Sequence, residues 1–182
     1  MNKLADGFAF TEGPAADASG DVYFSDIPKS LMYKWSFKEN KLTLARENTG
    51  GANGLWINKD GTIFACEGVK GRVVSLTNDF TIKKVIASQY NQTGFNKPND
   101  LWVDNKGGVY FTDPNYGRKI TPKQHGENAY YCNPQGEISQ ITNDLARPNG
   151  IIGTLNGETL YIADHKGGKT WSYDIQPSGN IA

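Results

Sequence analysis

The feature that most constrains this chain is a repeat. Four stretches carry an acid or amide at one matching place and a second acid 14, 14, 14 and 15 residues later: Glu12 to Asp26, Asn53 to Glu67, Asn99 to Asp113 and Asn149 to Asp164. Each pair brackets a short apolar segment, a turn containing Gly, and an apolar strand ending in the second acid. The four read EGPAADASGDVYFSD, NGLWINKDGTIFACE, NDLWVDNKGGVYFTD and NGIIGTLNGETLYIAD, with anchors 41, 46 and 50 residues apart. A period of that size belongs to radial or stacked architectures, in which no unit buries its faces without its neighbours. It also sets four like side chains at one symmetric position.

Strand signals dominate, and no window shows helical periodicity. Each unit reads as four strands, the content of a propeller blade. The first follows the anchor (GLWIN, DLWVD, GIIGT) and the second is aromatic and β-branched (DVYFS, TIFAC, GVYFT, TLYIA). The third is LMYKWSF, GRVVSL, AYYCN or KTWSYD, and the fourth KLTLAR, IKKVIA or EISQIT. Asp60-Gly61, Lys106-Gly107-Gly108 and Asn156-Gly157 supply the turn formers that antiparallel hairpins require. LADGF stands before Glu12 as LAREN stands before Asn53, so the chain is expected to open on the end of a fourth strand and to stop at SGNIA, where another would begin. The predicted fold is all-β: one β-propeller domain over 1–182, of four-stranded antiparallel blades, with about four quasi-units present. Propellers hold about 4 to 8 blades, so four units either close alone or form part of a larger, incomplete ring, and self-association is one way to close it.

Composition excludes several classes. Lys plus Arg and Asp plus Glu are both 19, which leaves no basic field for nucleic acid. No stretch approaches the roughly 20 apolar residues of a membrane helix, and the start MNKLADGF has no apolar signal core. The expectation is a cytoplasmic or periplasmic protein with a small-molecule partner. Cys66 and Cys132 lack metal or redox spacing and read as buried free thiols.

In a propeller the innermost strand of every blade begins at one mouth of the central channel. Glu12, Asn53, Asn99 and Asn149 are therefore expected to ring that mouth. Alone, each Asn-Gly reads as a turn; as a set, with Glu12 in the same place and Asn99 followed by Asp100, a shared polar lining explains them better. One carboxylate with several amide oxygens suits Ca²⁺ or Mg²⁺ rather than zinc. Asp26, Glu67, Asp113 and Asp164 stand at strand ends, where carboxylates accept turn amides. Lys97 and Arg147 each precede an anchor by two residues and read as solvated cations or as grips on a polar substrate. His125 and His165 read as surface residues, Ser25 and Ser30 lack a nucleophile-elbow context, and Trp56 and Trp102 read as packing residues.

The chain resembles the gluconolactonase, senescence-marker and luciferin-regenerating family through FTEGP at 10–14, GANGL at 51–55, ACE at 65–67, KPNDLWVD at 97–104, VYFTDPNYG at 109–117, RPNGI from 147 and LYIAD to 164. The resemblance implies a six-bladed propeller with a divalent cation, Ca²⁺, in its channel, and hydrolysis of sugar lactones or related esters. Carried over by position, Glu12 and Asn149 are metal ligands, Asn99 contacts metal or substrate, and Lys97 grips the substrate; Asn53, the remaining anchor of the ring, is read as a substrate-site residue beside them. Lys97 replaces the arginine of many members, and Asn115 departs from the usual DPPYG. The family's further aspartate, a metal ligand and general base, is expected 45 to 50 residues beyond Asn149 and so past Ala182; the catalytic base is left unidentified, and the chain reads as the N-terminal part of such an enzyme. Two alternatives accompany the lactonase reading: a noncatalytic calcium- or ligand-binding propeller, and a strictosidine-synthase-like propeller, against which the oxygen-donor ring argues.

Overall fold

The computed structural model describes residues 3–116 and 123–182. Every regular element among them is a strand, as the missing helical periodicity requires. Sheet 1 runs β1 (Thr11–Ala16), β2 (Val22–Asp26), β3 (Leu31–Ser36) and β4 (Lys41–Glu47). Sheet 2 runs β5 (Ala52–Ile57), β6 (Ile63–Glu67), β7 (Arg72–Leu76) and β8 (Ile82–Ala87). A two-stranded hairpin, β9 (Gln89–Tyr90) with β10 (Thr93–Gly94), then leads to sheet 3: β11 (Leu101–Val103), β12 (Val109–Asp113), β13 (Asn128–Cys132) and β14 (Ile138–Gln140). Sheet 4 holds β15 (Pro148–Gly153), β16 (Thr159–Asp164) and β17 (Lys169–Asp174), with one further bridge between Ile175 and Ile181. Strands adjacent in sequence pair antiparallel within each sheet, most of them through short turns such as that at Gly107, where φ is 88°; the connection from Asp113 of β12 to Asn128 of β13 is longer.

The sheets pack face to face through their first strands, β1 on β5, β5 on β11 and β11 on β15. Three cores fill the gaps. Tyr23, Met32, Leu55 and Val74 lie between sheets 1 and 2, Phe64, Val73, Phe111 and Tyr130 between 2 and 3, and Trp102, Tyr110, Ile151 and Leu160 between 3 and 4. Alternation along a strand decides which gap a side chain enters. In β6, Ile63 and Ala65 face the first core while Phe64 and Cys66 face the second. This is why the second strands of the middle units are buried at every position, while those of the outer units are not. Trp56 and Trp102 pack into these cores, and Cys66 and Cys132 are buried free thiols, burial pushing the Cys66 thiol well up.

LADGF forms no strand. Residues 3–10 run as irregular chain, and Phe8 meets Phe24 and Tyr33 edge-on at 5.1 and 5.2 Å. Phe24, Tyr33 and Trp35 line the face of sheet 1 turned away from sheet 2, and Phe8 packs on the aromatic pair Phe24–Tyr33 where the sequence predicts the end of a fourth strand. Among the described residues no helix is long and apolar enough to cross a membrane.

Candidate functional site

Each anchor sits on a β-bulge. The register of β1 with β2 slips one residue between Glu12 and Ala15, that of β5 with β6 between Ala52 and Leu55, and that of β15 with β16 between Pro148 and Ile151. In unit 3, Asn99 N–H donates to the Thr112 carbonyl while Thr112 N–H donates to the Asp100 carbonyl, again two residues opposite one. A bulge bends the strand and re-aims a side chain, here at the start of all four inner strands. The Asn-Gly pairs are therefore not turns. Their glycines permit neighbouring units to touch: a Cβ on Gly13 would strike the Asn53 carbonyl, and one on Gly54 would lie 2.5 Å from Asp100 Oδ1 and 2.7 Å from the Asn99 carbonyl. The gap left by Gly54 is the one Asp100 fills, and Asp100 Oδ2 accepts Ile151 N–H at 3.0 Å from the next unit. Burial raises the Asp100 carboxyl to about 6, with the charge of Glu12 adding to it.

The second acids hold the anchors in place. Asp26 accepts N–H from Ala9 and Phe10, Asp113 from Asn96 and Lys97, and Asp164 from Ala146 and Arg147, at 2.8 to 3.1 Å. In each unit the donors stand three and two residues before the anchor. Burial works to raise Asp26 and Asp164, but these amides outweigh it and hold both below the usual carboxylate range. At Asp113 burial wins and raises the carboxyl to about 7. Glu67 differs: it is fully buried, 2.6 Å from Arg72 Nε, and Arg46 Nη2 of sheet 1 faces it at 3.0 Å without the alignment of a hydrogen bond. Hydroxyls one residue before the acid complete the junctions. Ser25 Oγ donates to the carbonyl of Asn53, and Thr112 Oγ1 to that of Asn149 at 2.6 Å.

All four anchors open into one cavity of about 720 Å³, together with Lys97. Tyr116 and His165 also line it; His165 is exposed, as the sequence suggests, yet faces the cavity, and Tyr116 carries no signal of its own in the sequence. The available signal was position, since Ile27, Gly68 and His165 each follow a second acid and all three reach the cavity. Arg147 does not line it. Its guanidinium forms a two-pronged pair with Glu127 at 2.8 and 2.9 Å and stacks over the Tyr116 ring at 5.1 Å. Glu127 also accepts Asn115 N–H, so one carboxylate holds both the chain just before Tyr116 and the guanidinium over its ring. Asn149 Nδ2 in turn donates to Tyr116 Oη at 2.6 Å, which leaves the Asn149 amide oxygen for the cavity.

The donor set is compatible with a hard cation. Among the described residues, nothing donates to the Glu12 carboxylate or to the side-chain oxygens of Asn53, Asn99 and Asn149. One carboxylate with amide oxygens matches part of the six to eight oxygens that Ca²⁺ takes. No group of three or more His, Cys, Asp or Glu gathers as a metal cluster among the described residues, so Glu12 stands beside amide oxygens and not beside further carboxylates.

Residues 10–182 match the family described as the SMP-30/Gluconolactonase/LRE-like region. A gluconolactonase of Zymomonas mobilis is 26% identical, over 97% of this chain and 55% of its own length. The chain thus spans about half the length of that curated relative. The structure of a gluconolactonase from Xanthomonas campestris superposes with a TM-score of 0.89 at 24% identity, over 98% of this chain and 62% of that one. Regucalcin of Agrobacterium tumefaciens, a calcium-binding protein, superposes with a TM-score of 0.77 at 17% identity, over 98% and 59%.

Proposed function

We propose, from the premise that the chain belongs to the SMP-30/gluconolactonase/LRE-like family, that it forms the divalent-cation and substrate site of a lactone hydrolase. The observation that carries the reading is the convergence of Glu12, Asn53, Asn99 and Asn149 on one cavity. Glu12 and Asn149 hold the cation, Ca²⁺ in this reading, and Asn99 contacts either it or the substrate. When bound, the ion supplies a Lewis acid for the ester carbonyl oxygen. Tyr116 keeps the amide oxygen of Asn149 turned inward. Lys97 donates to substrate oxygens, with Asn53 beside it on the floor. The proton of the attacking water passes to a carboxylate base, which we assign to an aspartate outside these 182 residues, because Glu12 is the only carboxylate lining the cavity among the described residues. The greater length of the relatives supports this assignment, and with it a six-bladed ring of which this chain is the N-terminal part; a second copy is the other way to close the ring.

The test is calcium-dependent hydrolysis of glucono-δ-lactone, with calcium affinity measured by calorimetry, in the parent and in Glu12→Ala and Asn149→Ala. Loss of calcium binding and turnover together in both variants supports the reading, and unchanged turnover at low calcium would overturn it. The single lining carboxylate also favours a second reading, a calcium- or ligand-binding propeller without catalysis. Calcium binding that depends on Glu12, with no turnover, would select it.

A further inference from the structure

The cavity has two unlike walls. On the side of sheets 3 and 4, besides the anchors Asn99 and Asn149, stand Lys97, Tyr116 and His165 with the small apolar Pro98 and Ala163; on the side of sheets 1 and 2, besides the anchors Glu12 and Asn53, stand only Phe10, Ile27 and Val69 and the side-chain-less Gly51 and Gly68 among the described residues. Phe10 and Val69 are 58% and 71% exposed.

The backbone of that second wall is already used. Phe10 N–H donates to Asp26 and its carbonyl accepts Ile27 N–H. Gly51 N–H donates to Ser30 Oγ and its carbonyl accepts Gly68 N–H. Val69 N–H donates to the Gly50 carbonyl, the Ile27 carbonyl accepts Ser30 N–H, and the Gly68 carbonyl accepts Gly71 N–H. A hydroxyl turned to Phe10, Ile27 and Val69, beyond reach of Glu12 and Asn53, would give up water and find almost no partner there, which is costly. A methylene turned to it would gain by covering apolar surface.

From this we infer that the ligand is a lactone bearing an alkyl or aryl substituent, not a fully hydroxylated sugar lactone. The ring carbonyl lies over Glu12, Asn99 and Asn149, the ring's polar edge faces Lys97 and Tyr116, and the substituent lies along Phe10, Ile27 and Val69. The inference rests on the lactone-hydrolase reading and narrows its substrate.

The experiment measures kcat/KM of the intact protein with calcium for glucono-δ-lactone, unsubstituted δ-valerolactone and the pentyl-substituted δ-decalactone. The expected result is a preference for δ-decalactone over both others of roughly tenfold or more, the scale of apolar discrimination in enzyme sites. Val69→Asp, at an exposed position, should cut the ratio of δ-decalactone to δ-valerolactone by roughly tenfold, chiefly through KM, with an unchanged circular dichroism spectrum. Phe10→Ser should do the same and serves if Val69→Asp fails to fold. Faster hydrolysis of glucono-δ-lactone, or a ratio unmoved in both variants, overturns the substrate class and leaves the hydrolase reading standing. Hydrolysis of none of the three overturns both.

Discussion

Thr112→Val isolates the contribution of one hydroxyl to the architecture of the site. Thr112 is fully buried; its hydroxyl donates to the Asn149 carbonyl at 2.6 Å and accepts Asp100 N–H at 3.2 Å. Valine keeps the shape and removes both bonds, so a backbone carbonyl and a backbone N–H at the junction of sheets 3 and 4 lose their partners. Each such orphan costs about 1–3 kcal/mol, and the longer bond belongs at the low end, so the expected loss is about 2–4 kcal/mol. For a chain of 150–250 residues each kcal/mol moves the melting temperature by about 2–4 °C, giving a drop of roughly 4–16 °C by thermal circular dichroism. Thr112→Ser keeps the hydroxyl and should recover most of it. The loss should also reach the site, because the Asn149 carbonyl belongs to the residue whose amide oxygen enters the cavity, and calcium affinity should fall with stability. A Thr112→Val melt within about 1 °C of the parent, or Thr112→Ser as damaging as Thr112→Val, would refute the hydrogen-bond account and leave packing as the cause.

Three further outcomes follow from the same geometry. Gly54→Ala places a Cβ 2.5 Å from Asp100 Oδ1 and 2.6 Å from Asp100 Cα, and should cost about 1–3 kcal/mol as overpacking in urea unfolding; an unmoved midpoint would show that sheets 2 and 3 can part freely. Glu67→Gln leaves Arg46 and Arg72 without their counter-charge. Breaking a buried pair costs about 3–5 kcal/mol, and because Arg72 is 28% exposed and can turn to water the expected loss is nearer about 2–4 kcal/mol, little affected by salt; a loss that vanishes in 0.5 M NaCl, a concentration at which exposed pairs are screened to about 4 Å, would show an exposed pair. The equivalent acids Asp164 and Asp113 should give opposite pH slopes in thermal melts. Asp164 has its folded pKa lowered, so it stabilises above the unfolded value of about 3.9 and that gain is lost as pH falls; Asp164→Asn should be weaker at neutral pH and approach the parent in acid. Asp113 is raised to about 7, so its contribution declines as pH rises from about 4 to 7, and Asp113→Asn should gain on the parent over that range. Parallel slopes would contradict both assignments.

The strands were legible because alternation and turn chemistry are local. The anchors were legible because the repeat places four polar side chains at one phase, and all four line one cavity. What escaped was set by contacts between units. Arg147 reads in sequence as a free cation, but Glu127 takes it 20 residues away. Asp100 reads as a departure from Asn-Gly, and only the packing of sheet 3 on sheet 2 reveals that it occupies the space Gly54 leaves. Tyr116 enters the cavity wall through its bond to Asn149, which no spacing foretells. The aspartates were correctly placed at strand ends as acceptors of backbone amides, yet which amides they take depends on how the chain doubles back before each anchor.

That doubling back separates what a site needs from what a fold needs. Asp26, Asp113 and Asp164 grip main-chain N–H groups, so the grip is blind to the side chain carried by the gripped residue. The residue two places before the anchor is phenylalanine in the first unit, lysine in the third and arginine in the fourth, and the same clasp holds all three. Phe10 and Lys97 of these line the cavity, so selection can rewrite the wall at such a position one letter at a time while the clasp beneath it stays unchanged. A scaffold built this way acquires new ligands by substitution at a few loop positions rather than by rebuilding its sheets.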